Sequence, residues 1–262
     1  MRRGTGSLLW AQLRARTVRW EDDTALVVDK PSGLSVMGER HDTDLVTIAA
    51  EAGEPLWWVN RIDKVTSGAV VLAKTREAHG WLTRQFQTRS VDKAYLAICR
   101  PGGLPARGTI DLPLLTAGSG RIRVAAERGD IVTDTATGRI FVEFDRLLRG
   151  RRNYPSRTDY ASLLDDREIV VVLAAPVTGR RHQIRVHLAW AGHAIVGDPL
   201  FTRKGDPAAE RTYLHSLRVG FEAATSDHGW VEVEVPPDEE FWAPARSRGS
   251  RPRGWCTESD SA

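Results

Sequence analysis

Asn60-Arg61-Ile62-Asp63-Lys64-Val65-Thr66-Ser67-Gly68 runs straight into Ala69-Val70-Val71-Leu72-Ala73, a charged turn feeding an apolar strand. One acid, Asp63, stands between two cations at the mouth of that strand. Opposite charge favours the ionised carboxylate, so Arg61 and Lys64 keep Asp63 charged near neutral pH. A fixed, ionised carboxylate can act as a nucleophile. Ordinary surface loops also collect charge before a strand, and spacing alone does not choose between these two readings.

Working outward, the segments Ala25 to Lys30, Gly68 to Lys74, Tyr95 to Cys99, Arg139 to Leu147, Glu168 to Ala175 and Trp230 to Val235 are short and rich in Val, Ile and aromatic residues. Gly, Pro or Asp bounds them, so they are predicted strands. Helical spacing occurs at Asp44 to Ala52, at Arg76 to Gln87 behind a Thr75 N-cap, and at Arg180 to Trp190. Strands dominate and helices do not alternate with them. That pattern predicts an α+β fold, a mainly antiparallel mixed sheet with flanking helices, rather than a doubly wound one.

Four further blocks accompany the opening turn. They are Leu26-Val27-Val28-Asp29-Lys30-Pro31-Ser32-Gly33-Leu34, then Asp92-Lys93-Ala94-Tyr95-Leu96-Ala97, then Gly179-Arg180-Arg181-His182-Gln183-Ile184-Arg185-Val186-His187-Leu188 continuing through Gly192 to Leu200, and finally Tyr213-Leu214-His215-Ser216. Together, and in this order from about residue 20 to 240, the five blocks resemble the signature segments of the RluA family of RNA pseudouridine synthases. Three positions depart from the family pattern: Asn60 stands for His, Ile62 for Leu and Arg181 for Thr.

The resemblance implies a bent sheet whose two halves flank a central catalytic cleft, and isomerisation of uridine to pseudouridine in ribosomal or transfer RNA. It implies that Asp63 attacks the target nucleotide, at the anomeric carbon of the sugar or at the base, and that Arg185 pairs with Asp63. Tyr95 is expected against the target base, assisting removal of the C5 proton. Alternation along a strand puts Lys93 on the same face as Tyr95. A base stacked inside RNA must be extruded into the pocket at a cost of a few kcal/mol, and Arg61 is expected to fill the space it leaves or else to contact a phosphate. Lys93, Arg180, His182 and Gln183 complete the expected substrate-binding set. Helical spacing alone reads Arg181, His182 and Arg185 as one cationic face.

Composition is compatible with this and does not decide it. The 262 residues carry 37 basic and 34 acidic side chains, so a nucleic-acid partner must be recognised by where cations sit rather than by their excess. Arg146, Arg149, Arg151, Arg152 and Arg157 surround Asn153-Tyr154-Pro155, either a phosphate-gripping hairpin tip or a solvated loop. The two cysteines, Cys99 and Cys256, form no disulfide or zinc pattern, and the histidines lack ligand spacing, so no metal is expected; the isomerisation that the resemblance implies needs no cofactor. No apolar run reaches membrane-spanning length. The expected organisation is a basic tail over residues 1–17, a catalytic domain over 18–244 and a disordered tail over 245–262, in a cytoplasmic monomer. The segment before the first strand is too short for a separate RNA-binding domain, so RNA is expected to be held by the catalytic domain itself. Two other classes compete. A glycoside hydrolase needs a second acid opposite the first, and none stands out; a non-catalytic RNA-binding protein would use the same surface without Asp63.

Overall fold

The computed structural model describes residues 3–38, 44–118, 120–201, 209–225 and 229–246. In chain order the elements begin with α1 (Arg3–Thr17), β1 (Val18–Glu21), β2 (Ala25–Lys30), α2 (Leu45–Glu51), β3 (Trp57–Trp58), β4 (Ser67–Ala73) and α3 (Arg76–Thr88). The middle of the chain supplies β5 (Asp92–Cys99), β6 (Arg107–Asp111), β7 (Leu114–Thr116), β8 (Ile122–Val124), β9 (Ile131–Asp134) and β10 (Arg139–Val142). It continues with β11 (Arg157–Asp165), β12 (Val170–Pro176), α4 (Gln183–Trp190), β13 (Leu214–Glu222) and β14 (Trp230–Glu234). The fold is α+β, with a mixed and mainly antiparallel sheet and few helices.

The described residues fall into two compact units, those within 1–93 with 215–237 and those within 94–214 with 238–262. In the first, β4 is the hub. It pairs antiparallel with β2 along its length, from Ala25 opposite Ala73 to Lys30 opposite Gly68. Its other edge is shared: β13 runs parallel to Ser67 and Gly68, while β3 runs antiparallel to Leu72 and Ala73. Every residue of β4 is buried, which is why it reads as an unbroken apolar run rather than an alternating one. Helix α3, capped by the Thr75 side chain on the Ala78 N–H, lays Ala78 and Leu82 against Val27, Val71, Phe221 and Val233, with Trp20, Trp57 and Phe86 packed at the margin.

The expected N-terminal tail holds a helix. Residues 3–17 form α1, anchored by Trp10, which is 3% exposed and donates its indole N–H to Glu54 at 2.7 Å. Arg14 adds bonds to Glu54 at 3.0 Å and to Glu21 at 2.5 Å. These partners are up to 44 residues away, so the local pattern carried no sign of docking. Of the other expected tail, residues 247–262 lie outside the described residues.

In the second unit the strands run β5-β12-β11-β6-β10-β9, all antiparallel except β6 with β10. Strands β7 and β8 form a separate ribbon. The strand expected from Arg139 to Leu147 stops at Val142, because a 3-10 turn over Phe144–Arg146 returns the Arg146 N–H to the Glu143 carbonyl. Helix α4, expected from Arg180, starts at Gln183, since His182 adopts a left-handed backbone with φ of 55°. From Gln183 through Ala189 it is buried.

Candidate active site

Asp63 and Arg61 belong to the first unit, Lys93 is that unit's last residue before β5 passes on, and Tyr95, Arg180, His182, Gln183 and Arg185 belong to the second.

In the first unit Asp63 opens a turn closed by the Thr66 N–H on its carbonyl at 2.9 Å, and its side chain is half-buried. The segment Lys30–Gly33 underpins that turn. Gly33 N–H donates to the Lys64 carbonyl at 2.8 Å, and the Ser32 hydroxyl donates to the Val65 carbonyl at 2.9 Å. Lys30 is 0% exposed, yet its ammonium group is well solvated by protein: Nζ donates to the carbonyls of Leu34 at 2.6 Å, Pro31 at 2.8 Å and Lys64 at 3.3 Å. A buried ammonium is tolerated only when hydrogen bonds replace its water. Here the replacement also fixes the backbone one residue past Asp63.

Upstream, Asn60 explains its own departure from the family pattern. Val59 N–H donates to the Val71 carbonyl at 3.1 Å, and the Asn60 side-chain oxygen accepts from the Val71 N–H at 2.8 Å. Between β3 and β13 the edge of β4 would otherwise leave that donor unpaired. Asn60 thus continues the ladder with its side chain and sets the direction in which the chain enters the turn. Downstream, Gly68 has φ of +104°, and a Cβ there would stand 2.2 Å from the Ser216 carbonyl oxygen, so only glycine fits. Ser67 donates to Nδ1 of buried His215 at 2.8 Å, while His215 Nε2 meets the Val235 carbonyl, also at 2.8 Å. A carbonyl only accepts, so Nε2 carries the ring proton. Arg61 is exposed and lies over the Trp58 ring at 6.0 Å.

In the second unit Arg185 is buried on α4 and meets buried Asp198 through two parallel bonds, Nε to Oδ2 at 2.7 Å and Nη2 to Oδ1 at 2.8 Å. Oδ1 also accepts the N–H groups of Leu200 at 2.8 Å and Phe201 at 3.2 Å. The loop so held brings the Phe201 ring 5.5 Å from the Arg185 guanidinium carbon and edge-on to His182, at 6.2 Å between ring centres. Such a planar, bidentate arrangement fixes an arginine's orientation in a way a lysine cannot reproduce. Asp198 was visible only as part of a Gly-Asp-Pro block, with no role attached.

Gln183 is a hub rather than an exposed contact. Its oxygen accepts from the Thr178 hydroxyl at 2.7 Å and the Arg180 N–H at 3.0 Å; its amide donates to the Arg157 carbonyl at 2.9 Å and the Thr158 hydroxyl at 3.0 Å. All four of its bonds are made to protein, so it orders the Arg180 turn against the start of β11. Thr158 passes the network on to Nδ1 of His187 at 2.9 Å, and His187 Nε2 meets the Leu112 carbonyl at 3.0 Å. Burial holds this imidazole neutral and pushes its pKa down to about 4. Arg180 itself is exposed, 5.4 Å from the centre of the Tyr154 ring, and Arg152 approaches the same ring at 5.2 Å. Tyr95 is buried at the register position opposite Ala174. The Lys93 ammonium is held below the usual lysine range, by burial first and by the Arg89 charge second. Among the described residues there is no cluster of side chains suited to a metal ion, and no helix is long and apolar enough to cross a membrane.

Residues 24–190 match the family described as RNA pseudouridylate synthase. The chain belongs to that family of RNA-modifying isomerases, and within it to the RluA group. It is 34% identical over 207 residues to the dual-specificity RNA pseudouridine synthase RluA of Escherichia coli, which takes in 76% of this chain and 83% of that one. It is 29% identical over 232 residues to the ribosomal large subunit pseudouridine synthase C of Vibrio parahaemolyticus serotype O3:K6, covering 85% of this chain and 66% of the relative. Among solved structures, human RNA pseudouridylate synthase domain containing 4 shares the fold with a TM-score of 0.74 at 22% identity, over 92% of this chain and 95% of that one. Human RNA pseudouridylate synthase domain containing 1 gives 0.65 at 26% identity, over 84% and 83%.

Proposed function

We propose that this chain converts specific uridines in cytoplasmic ribosomal or transfer RNA to pseudouridine, as a monomer and without a cofactor, with Asp63 as the nucleophile. The target base is extruded from its stack, with Arg61 taking the vacated space. Asp63 attacks the nucleotide, the N1–C1′ bond breaks, and the base turns before C5 bonds to C1′ and the bond to Asp63 breaks, returning its carboxylate. Loss of the C5 proton, assisted by Tyr95, and protonation of N1 restore the aromatic base, so atoms balance with no external donor. Arg185 is read as the partner of Asp63, with Asp198 behind it. Lys93, Arg180 and His182 are read as RNA contacts, while Gln183 acts through the turn that it orders.

The observation that carries this reading is the support of the Asp63 turn. Its half-buried carboxylate follows a side-chain-completed strand edge at Asn60, and the buried Lys30 ammonium binds the next carbonyl along. A catalytic group must be held by rigid surroundings to act reproducibly. The ribosomal large subunit named for one relative supports ribosomal RNA as a substrate, and the dual specificity named for another supports more than one RNA target.

The test is a pseudouridine map of cellular RNA with the gene present, with it deleted, and with deletion complemented by wild type or Asp63→Ala. One or more sites are expected to vanish on deletion and to return with the wild type alone. Identical maps in all strains would end the enzyme reading; restoration by Asp63→Ala would remove Asp63 from its role.

A further inference from the structure

Tyr154 has an unusual setting for an aromatic residue on a basic loop. Its backbone is fixed on both sides, N–H to the Leu114 carbonyl at 2.7 Å and carbonyl to the Leu114 N–H at 3.0 Å. Its ring is only half-buried and is approached by two exposed guanidinium groups, Arg152 at 5.2 Å and Arg180 at 5.4 Å. These two arginines come from segments 28 residues apart in sequence. They are brought together because Gln183 binds the Arg180 N–H with its oxygen and the Arg157 carbonyl with its amide.

Charge accounting singles out the same place. Nearby arginines have internal counterions: Arg157 pairs with Asp159 at 3.1 Å and Arg139 with Asp111 at 3.2 Å. Among the described residues, Arg151, Arg152, Arg180 and Arg181 make no ion pair with a carboxylate. Cations left uncompensated around a flat ring complement a polyanion whose bases are also flat, since aromatic and guanidinium planes both stack on unpaired bases. An acidic protein surface would use the charge and leave the ring idle.

We propose that Tyr154, flanked by Arg152 and Arg180, is a stacking platform for an unpaired RNA base outside the catalytic pocket, with Arg151 and Arg181 meeting adjacent phosphates. The proposal rests on the RNA-modifying reading above and adds to it a substrate requirement: the bound RNA carries an unstacked nucleotide besides the target.

The test is equilibrium binding of the full chain to a fluorescein-labelled oligouridylate and to a labelled blunt RNA duplex of equal length. Tyr154→Ala is expected to weaken the single strand by roughly ten- to hundred-fold and to leave the duplex unchanged; Tyr154→Phe keeps the wild-type affinity. Arg151→Ala is expected to lower the slope of log affinity against log salt by about 0.7 on the single strand. Should Tyr154→Ala fail to fold, the exposed pair Arg152→Lys/Arg180→Lys, which keeps both charges and removes the stacking planes, is expected to give a loss selective for the single strand. Unchanged single-strand affinity would overturn the platform. So would equal loss on both RNAs, or competition by polyglutamate as effective as by oligouridylate, since either reduces the surface to plain charge. Because binding needs no turnover, a wild type that binds the strand selectively but forms no pseudouridine would refute the proposed reaction and leave the platform standing.

Discussion

Replacing Asp198 with Asn tests the reading of Arg185 most sharply. The carboxylate accepts four hydrogen bonds, three of them at Oδ1, from Arg185 Nη2, Leu200 N–H and Phe201 N–H, and one at Oδ2, from Arg185 Nε. An asparagine oxygen placed at Oδ1 keeps three, but its NH2 group then faces the Nε–H, donor against donor. The charge is also gone, leaving a guanidinium on a side chain only 3% exposed. Removing one partner of a buried ion pair costs about 3–5 kcal/mol, a large part of the roughly 5–15 kcal/mol that holds a typical protein folded. For a chain of this size the melting temperature should fall by roughly 6–20 °C, read by thermal unfolding. The double variant Asp198→Leu/Arg185→Met removes the buried guanidinium along with the carboxylate. It is expected to be more stable than Asp198→Leu alone, yet inactive in single-turnover pseudouridine formation. A melting point for Asp198→Asn within about 2 °C of wild type, or a double variant no more stable than the single, would refute the claim that the pair is coupled and buried.

Gly68→Ala should abolish the folded protein, because left-handed backbone is joined to a 2.2 Å approach to Ser216. Gly33→Ala, with φ of +87° but nothing within 4 Å of the added methyl, should lose only about 1–2 kcal/mol, and equal yields of soluble protein from both would contradict this. Asn60→Ala leaves the buried Val71 N–H without its acceptor and should lose about 1–3 kcal/mol, whereas Asn60→Asp keeps an oxygen in place; equal melting points for the two would sink the ladder role. His187, ordinarily titrating near 6.5, does so near 4 in the folded protein. Between those values the unfolded chain binds the extra proton, so stability present above pH 6.5 is lost as pH falls toward 4, by about 3 kcal/mol in all. His187→Gln should flatten that dependence in melts taken from pH 7 to pH 5, and an unchanged slope would exclude His187 as its source.

The elements legible in the sequence are those whose signal is local. Strand β2 was read to the residue because Asp and Pro bracket an apolar run, and α3 because Thr75 caps an amphipathic pattern. Strand β13 escaped notice because His215 and Ser216 interrupt it with polarity. They are buried, and His215 is satisfied by Ser67 and Val235, 148 and 20 residues away in the chain. Strand context of this kind outweighs intrinsic preference. The same limit applied at the site. The family resemblance pointed to Asp63, Arg185 and Arg180 as candidates, but what holds each one lies elsewhere: the Lys64 carbonyl 34 residues from Lys30, Asp198 13 residues from Arg185, and Tyr154 26 residues from Arg180. The left-handed His182 that shortens α4 has no composition signal, since the position most often taken by glycine is held here by a side chain.

Lys30 has one further consequence. Its amine is inaccessible to solvent and hydrogen-bonded to the carbonyls of Pro31, Leu34 and Lys64, the last within the Asp63 turn. An acylating reagent reaches it only in molecules whose turn has come apart, so the rate of its modification counts those openings. The protein therefore carries a built-in chemical clock for the integrity of its Asp63 loop, readable by mass spectrometry without any substitution.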